Sequence, residues 1–268
     1  MRPDTSPVTP PSPSLDDRTL RLDVPRSAGM RALLRAKDVL ERGVAAVSVH
    51  DDTPVYDPAR FGWTRGVEAG WRDIRAELEA LLARRSEMPS FQDILEPVAA
   101  INRADDWKTL WLVAMGVEST QTTRRCPRTI ELLRTIPGMI TAFFSILSPG
   151  KHIPRHRGAF NGLLRYHLGL ILPEPRDRCT IRVGSHVLSW EEGSSLVFDD
   201  TFDHEVWNGT DGLRAVLFVD FARPLHAPFH QLNRALLAAG RYTPMMRQTI
   251  RNQGRWEERF FADDAATA

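Results

Sequence analysis

Three histidines and two arginines near the middle of the chain have the side chains needed for a metal site beside an anion site. Imidazole is a common ligand of Fe, Zn, Cu and Ni, and a guanidinium can grip a carboxylate through two parallel hydrogen bonds. His156, Arg165 and His167 lie in one stretch, and His204 and Arg214 lie in a later one. If both stretches face one cavity of a small barrel, that cavity is cationic, has few acids nearby and suits an anionic ligand.

Side-chain alternation along strands assigns some of these residues to faces. In the apolar segment 163–172, Arg165 and His167 point to the same side. Arg214 opens the very apolar segment 213–221, where a charge requires a partner because an unpaired buried charge is unfavourable. Taken singly, each residue also has a structural interpretation, as an arginine paired with Asp or Glu at a strand end or a histidine held by hydrogen bonds.

The residue two positions after the first histidine bears on the choice of metal. Non-heme iron oxygenases usually hold iron with two histidines and one carboxylate, and the acid often stands two residues after the first histidine. Here that position, after His156, is Gly158. The spacing alone therefore argues against iron or requires an unusual iron site.

Composition is that of an ordinary globular protein. The 268 residues are 42% apolar and 26% charged, with a formal net charge of +1 that gives no overall attraction to nucleic acid. Cys126 and Cys179 are the two cysteines, so we expect no disulfide framework and a reducing compartment. No apolar run reaches the roughly 20 residues that span a bilayer, and residues 1–16 lack the apolar core of a secretory signal. These features predict a cytoplasmic protein.

The spacing of apolar residues changes along the chain from helical to strand-like and back. Apolar residues at helical spacing predict helices over 28–44 and 64–85, and helical character returns over 226–260. Between them, short apolar or alternating segments separated by Gly and Pro turns predict strands, which is typical of a sandwich or barrel. The predicted strands are 107–117, 139–148, 163–172, 179–189, 194–200 and 213–221.

These patterns divide the chain into three parts. They are a disordered Pro/Ser-rich tail at 1–26, a domain at 27–225 with a helical lead-in (28–106) and a β core (107–225), and a C-terminal helical extension at 226–268. Within the extension, residues 232–244 can form a helix that packs on the barrel, which is the commoner arrangement. The same residues could instead make a peripheral contact with a bilayer surface.

A series of short motifs between Pro58 and Pro224 resembles the aspartyl/asparaginyl β-hydroxylases, a family of Fe(II)- and 2-oxoglutarate-dependent dioxygenases. The motifs are Phe-Ser-Ile-Leu-Ser-Pro-Gly at 144–150, His-x-Gly at 156–158, Leu-Arg-Tyr-His-Leu-Gly-Leu at 164–170, Trp-Glu-Glu-Gly at 190–193, Phe-Asp-Asp-Thr-Phe-Asp-His-Glu-Val-Trp at 198–207, and Arg214. Each is weak alone, but their order makes the match specific. The resemblance implies an α+β fold with a double-stranded β-helix (jelly-roll) core, N- and C-terminal helices packed around it, and a dioxygenase domain at 27–225.

The resemblance also implies roles for individual residues. Family members have Gly where other oxygenases have the third, acidic ligand, so Gly158 becomes an expected feature. His156 and His204 would be the catalytic iron ligands. The implied cosubstrate site for 2-oxoglutarate has Ser145 and Arg214 at the far carboxylate, Arg165 and His167 near the iron-chelating end, and Trp107 lining the pocket. With O₂ as the second cosubstrate, such an enzyme releases succinate and CO₂ and hydroxylates an unactivated C–H bond.

The substrate is constrained by one position. Animal peptide hydroxylases of the family have an additional Arg two residues before the equivalent of Arg165, and this chain has Leu163 there, which weakens the case for an acidic peptide. The family also includes bacterial hydroxylases that act on lipid A acyl chains. We therefore expect a small-molecule, peptide or acyl-type substrate and no nucleic acid partner.

Two other interpretations remain open at this point. One is a cupin-like metal enzyme that does not use 2-oxoglutarate, because the spacing from Gly193 to Asn208 echoes the second cupin motif. That motif expects Pro and Gly where the chain has Asp199 and Thr201, and no upstream His-x-His precedes it. The other is a barrel that has lost its metal and binds a partner through its helices, which the presence of His156, His204 and Arg214 argues against.

Overall fold

The computed structural model describes residues 28–262. This part of the chain contains eleven strands and eight α-helices, with short 3-10 helices and loops between them. The tail predicted at 1–26 lies outside the described residues. The helices are α1 (Ala28–Ala46), α2 (Thr64–Ala69), α3 (Trp71–Leu82), α4 (Phe91–Ile94), α5 (Thr120–Arg125), α6 (Pro127–Leu133), α7 (Phe229–Gly240) and α8 (Pro244–Phe260). The strands are β1 (Val55–Tyr56), β2 (Trp107–Ala114), β3 (Val117–Glu118), β4 (Met139–Leu147), β5 (His152–His156), β6 (Leu163–Ile171), β7 (Cys179–Val183), β8 (His186–Ser189), β9 (Ser195–Phe198), β10 (His204–Asn208) and β11 (Arg214–Ala222).

The strands form two antiparallel sheets. The larger has the order β1-β9-β6-β11-β4-β2-β3, and the smaller has the order β5-β10-β7-β8. Apolar side chains of both sheets belong to one buried core, to which the larger sheet contributes Leu168 and Val197 and the smaller contributes Ile181 and Val206. The protein therefore has an α+β fold built on a double-stranded β-helix, as the sequence predicted.

Helices cover the larger sheet from both ends of the chain. Helix α3 buries Ile74 and Leu78, and α8 buries Trp256 and Phe260, so each presents an apolar stripe to the core. The buried carboxylate of Glu257 accepts a hydrogen bond from the Thr122 N–H at 2.7 Å and ties α8 to the start of α5. None of the helices in the described part of the chain is long and apolar enough to cross a membrane.

The structure refines the predicted elements at glycines. The helix predicted over 64–85 is two helices that meet at Gly70, where an added Cβ would lie 2.4 Å from the Leu132 side chain of α6. The strand predicted over 179–189 is a hairpin that turns at Gly184, whose φ is 56°. The lead-in is not purely helical, because β1 pairs with β9 in the larger sheet.

Candidate metal and anion site

Two of the candidate histidines face each other across the smaller sheet. Strands β5 and β10 are antiparallel neighbours, and their register places His204 directly opposite His156. The two ring centroids are 4.0 Å apart. His204 is buried and His156 is half-buried. Strand pairing therefore brings together two imidazoles that are remote in the sequence.

Hydrogen bonds fix the tautomer of both rings. The Nδ1 of His156 lies 2.8 Å from the Pro154 carbonyl oxygen, and the Nδ1 of His204 lies 3.0 Å from that of Phe202. A carbonyl can only accept, so each Nδ1 carries the proton and each Nε2 keeps its lone pair. A ring held this way by a backbone carbonyl is the usual arrangement of a metal-binding histidine. The pair therefore fits a metal ion that prefers nitrogen ligands.

Burial keeps the two imidazoles neutral. It lowers the pKa of His156 to about 4 and that of His204 well below its ordinary value, and each is lowered further by the nearby Arg165 guanidinium. Metal binding requires a deprotonated imidazole nitrogen, so at neutral pH neither ring has to lose a proton first.

At residue 158, where other oxygenases have an acidic third ligand, the side chain of Asp200 occupies the space beside the backbone. A Cβ added to Gly158 would lie 2.2 Å from the carboxylate atoms of Asp200, and the Gly158 N–H donates to the Asp200 carbonyl at 2.7 Å. An acidic residue at 158 therefore does not fit beside Asp200. Across residues 28–262, no cluster of three or more His, Cys, Asp or Glu side chains is arranged to hold a metal ion.

Replacing Gly158 with alanine should lower the free energy of unfolding by about 1–3 kcal/mol, because the new methyl group overlaps the Asp200 carboxylate. Urea unfolding of the metal-free protein would measure the change. Gly66→Ala is the matched control, since its Cβ would meet nothing within 4 Å inside α2, and helix propensity predicts no loss there. A Gly158→Ala protein as stable as wild type would show that Asp200 moves aside without penalty.

Arg214 lies on the inner side of the larger sheet as a buried cation. Only 1% of its surface is exposed, and its Nη1 donates to the Ser145 hydroxyl at 3.3 Å. The same hydroxyl accepts from the Trp107 indole at 3.0 Å, and the Trp190 ring stacks under the guanidinium at 4.2 Å. No carboxylate of the described residues forms an ion pair with Arg214, and its Nε has no hydrogen-bond partner.

Other polar atoms next to Arg214 also lack partners. Both ring nitrogens of His167 and the indole N–H of Trp190 are buried without hydrogen bonds inside the described chain, and the two rings stack with centroids 6.1 Å apart. Burial is the main cause that lowers the pKa of Arg214 to about 10, which leaves it charged at neutral pH. Buried polar groups are nearly always paired in folded proteins, so this cluster fits an anion with several acceptor oxygens.

Arg165 differs from Arg214 because its charge is already compensated. It lies 2.8 Å from a carboxylate oxygen of Asp220, the residue opposite it on β11, and 2.8 Å from one of Asp200. The expectation of few acids near the cavity is therefore wrong at Arg165, where the structural interpretation holds. Burial raises the pKa of Asp200 to about 6 even beside Arg165.

The structure thus places the predicted residues in two adjoining groups. His156 and His204 form the candidate metal pair on the smaller sheet, and Ser145, Arg214, Trp107 and His167 form the candidate anion site on the larger sheet, with Arg165 beside them over the Phe218 ring. The Phe198 ring adjoins both groups, with its centroid 5.0 Å from that of His167 and 6.1 Å from that of His204. Trp190 and Asp200 were not among the predicted site residues, although both stand in motifs that carry the resemblance.

Comparison with known proteins decides the family. The family model described as aspartyl/asparaginyl beta-hydroxylase matches residues 68–224. The chain is 48% identical over 213 residues to the ornithine lipid ester-linked acyl 2-hydroxylase of Rhizobium tropici. The alignment covers 80% of this chain and 76% of that protein. The chain belongs to the aspartyl/asparaginyl β-hydroxylase family. It is also 32% identical over 212 residues to the human aspartyl/asparaginyl beta-hydroxylase, across 75% of this chain and 26% of the human protein.

Membership in the aspartyl/asparaginyl β-hydroxylase family confirms the resemblance drawn from the motifs. The matched residues run from the end of α2 to just past β11, and so include both groups of the site. Among solved structures, a prolyl-4-hydroxylase from Pseudomonas putida aligns with 57% of this chain and 87% of its own, at 20% identity and a TM-score of 0.37.

Proposed function

We propose that this protein is an Fe(II)- and 2-oxoglutarate-dependent hydroxylase. The observation that carries the proposal is a buried arginine without a carboxylate partner in residues 28–262, near a pair of neutral histidines whose Nε2 atoms keep their lone pairs. A diacid cosubstrate fits this arrangement at both ends. One carboxylate would pair with the arginine, and the other end would bind a metal held by the two histidines. Relatives named as hydroxylases support the hydroxylation that the proposal includes.

In this proposal His156 and His204 hold the iron through Nε2, while their Nδ1–H bonds to backbone carbonyls keep both rings oriented. When bound, the iron supplies with O₂ and 2-oxoglutarate the oxidising power that hydroxylates a C–H bond and leaves succinate and CO₂. The protein's own residues bind and orient the reactants and exclude water.

Arg214 and Ser145 would bind the far carboxylate of 2-oxoglutarate. The guanidinium is already oriented by the Trp190 ring and the Ser145 hydroxyl, so little side-chain freedom is lost on binding. Surrounding apolar rings exclude water, which strengthens a charged pair that is fully formed. His167 and the Trp190 N–H would supply the remaining hydrogen bonds.

For the substrate we propose the acyl chain of an amino-acid-containing lipid. The Rhizobium tropici relative is named for hydroxylation of an ester-linked acyl chain of ornithine lipid. Leu163, which begins β6 two residues before Arg165, adds an apolar side chain where the peptide hydroxylases have a cation. An acidic peptide is the second candidate, because the human relative is named for action on aspartyl and asparaginyl residues.

The test is turnover by protein loaded with Fe(II) under anaerobic conditions and then exposed to O₂ with 2-oxoglutarate. We expect succinate formation that rises when ornithine lipid in detergent micelles is added, and a lipid product that is heavier by one oxygen atom in mass spectrometry. Stimulation by an acidic peptide alone would select the second candidate. The proposal is overturned if 2-oxoglutarate neither binds the Fe(II)-loaded protein nor yields succinate with either substrate class.

A further inference from the structure

Helix α7 exposes apolar side chains on its outer face. Phe229, Leu232 and Leu236 are 44%, 68% and 49% exposed, whereas Asn233 and Leu237 on the opposite face are buried. A surface helix normally presents polar residues to water, and α7 presents an aromatic and two leucines at helical spacing. Just past the helix, Tyr242 and Met245 are also exposed, at 55% and 48%.

The same part of the chain is strongly basic. Residues 226–256 contain five arginines and no Asp or Glu, although the whole chain has a net charge of only +1. All five are exposed, and they are Arg234, Arg241, Arg247, Arg251 and Arg255. The last three recur every fourth residue and so follow one side of α8. Positive charge is therefore concentrated in the same segment of the chain as the exposed apolar residues.

The exposed ring of Tyr242 contacts two of these arginines. The guanidinium carbons of Arg241 and Arg247 lie 4.6 and 5.9 Å from the centre of its ring. We name this surface the α7–α8 face and define it by Phe229, Leu232, Leu236, Arg241, Tyr242, Met245 and Arg247.

Helix α7 packs against residues 157–162, the segment that connects the histidine His156 to strand β6 of the anion site. Its Asn233 side-chain amide donates to the Gly162 carbonyl at 2.8 Å. Residues 157–162 connect β5, which ends at His156, to β6, which carries His167. The α7–α8 face therefore belongs to a helix that packs directly against the chain segment leaving the metal pair.

We propose that the α7–α8 face docks on the surface of a bilayer that contains anionic lipids. Apolar residues flanked by arginines match an interface with negative headgroups above acyl chains. A second copy of the chain fits less well, because a two-fold contact would oppose the same cluster of arginines to itself. The docking rests on exposure and charge alone. That docking also brings a lipid acyl chain to the site is a further step, and this step rests on the proposed function because it assumes an acyl substrate.

Co-sedimentation with phosphatidylcholine vesicles, with and without phosphatidylglycerol, tests the docking without requiring turnover. We expect binding to the anionic vesicles that falls with added salt. The double variant Leu232→Glu/Leu236→Glu should reduce that binding at least about tenfold, since it places two carboxylates at the interface. Arg241→Ala/Arg247→Ala should reduce it about twenty-fivefold, at about fivefold for each arginine near an anionic surface.

Matched controls lie on other surfaces. Val187→Glu changes a residue that is 47% exposed on β8, and Arg65→Ala removes an exposed arginine of α2; neither should alter vesicle binding. Equal binding by wild type and both double variants would overturn the proposal, as would self-association of the wild type that the Leu232/Leu236 variant abolishes.

A turnover assay separates this proposal from the proposed function. The Leu232→Glu/Leu236→Glu protein should hydroxylate lipid in detergent micelles at the wild-type rate but lose activity on lipid held in vesicles. If wild type binds anionic vesicles but never turns over 2-oxoglutarate, the docking stands and the proposed function fails. If turnover on vesicles is unchanged in the variant, the docking proposal fails and the proposed function stands.

Discussion

Replacing His204 with alanine should abolish metal binding and reduce 2-oxoglutarate turnover at least about a thousandfold, equivalent to roughly 4 kcal/mol of barrier. The change removes one of the two imidazoles that the pairing of β5 with β10 places opposite each other. No carboxylate completes a metal cluster there within the described chain, so one imidazole would remain. Metal content by elemental analysis and succinate formation measure the two effects.

His152→Ala is the matched control for this prediction. His152 lies on the same pair of strands, but it is exposed, stacks on Trp207 at 5.4 Å and contacts the Glu205 carboxylate. It should keep wild-type metal content and turnover. A His204→Ala protein that retained metal and activity would remove His204 from the metal site, and a folded variant with a normal circular dichroism spectrum would exclude misfolding as the cause of a loss.

The two strands that carry the metal pair were not among the strands predicted from the sequence. Strand β5 reads His-Ile-Pro-Arg-His, and Pro154 removes a backbone donor, which suits only an edge strand; β5 is indeed at the edge of the smaller sheet. Strand β10 reads His-Glu-Val-Trp-Asn, with too few apolar residues to indicate burial. The strongest strand signals came from the larger sheet, where apolar content is high on both faces.

Local pattern predicted faces but not long-range partners. Alternation along 163–172 placed Arg165 and His167 on one side, and both lie against the Phe218 ring. The compensation of Arg165 by Asp220 depends on the pairing of β6 with β11, which the sequence alone does not specify. The close approach of Asp200 to Gly158 likewise arises from two loops brought together by the fold, so the glycine could be interpreted only through the family resemblance.

Arg214 and Arg223, the two most buried arginines among the described residues, should respond oppositely to removal of their charge. Arg223 donates to the Tyr56 hydroxyl at 2.9 Å and to the Asn161 carbonyl at 2.6 Å, and it pairs with the fully buried carboxylate of Asp199. Arg223→Met leaves that carboxylate without its cation and should lower the free energy of unfolding by about 3–5 kcal/mol. Arg214 has no carboxylate partner in residues 28–262, so Arg214→Met leaves no buried carboxylate without its cation.

Arg214→Met should therefore leave the stability of the ligand-free protein unchanged or raise it by about 1 kcal/mol, because it removes a buried charge that no carboxylate in the described part of the chain neutralises. The same change should weaken 2-oxoglutarate binding about a hundredfold, since charge-assisted hydrogen bonds of roughly 1.5–3 kcal/mol each are lost. Urea unfolding and titration calorimetry with the metal-loaded protein measure the two quantities. A loss of stability like that of Arg223→Met, with unchanged affinity for 2-oxoglutarate, would make Arg214 structural. A buried cation retained at the expense of stability is expected only where a ligand supplies the missing negative charge.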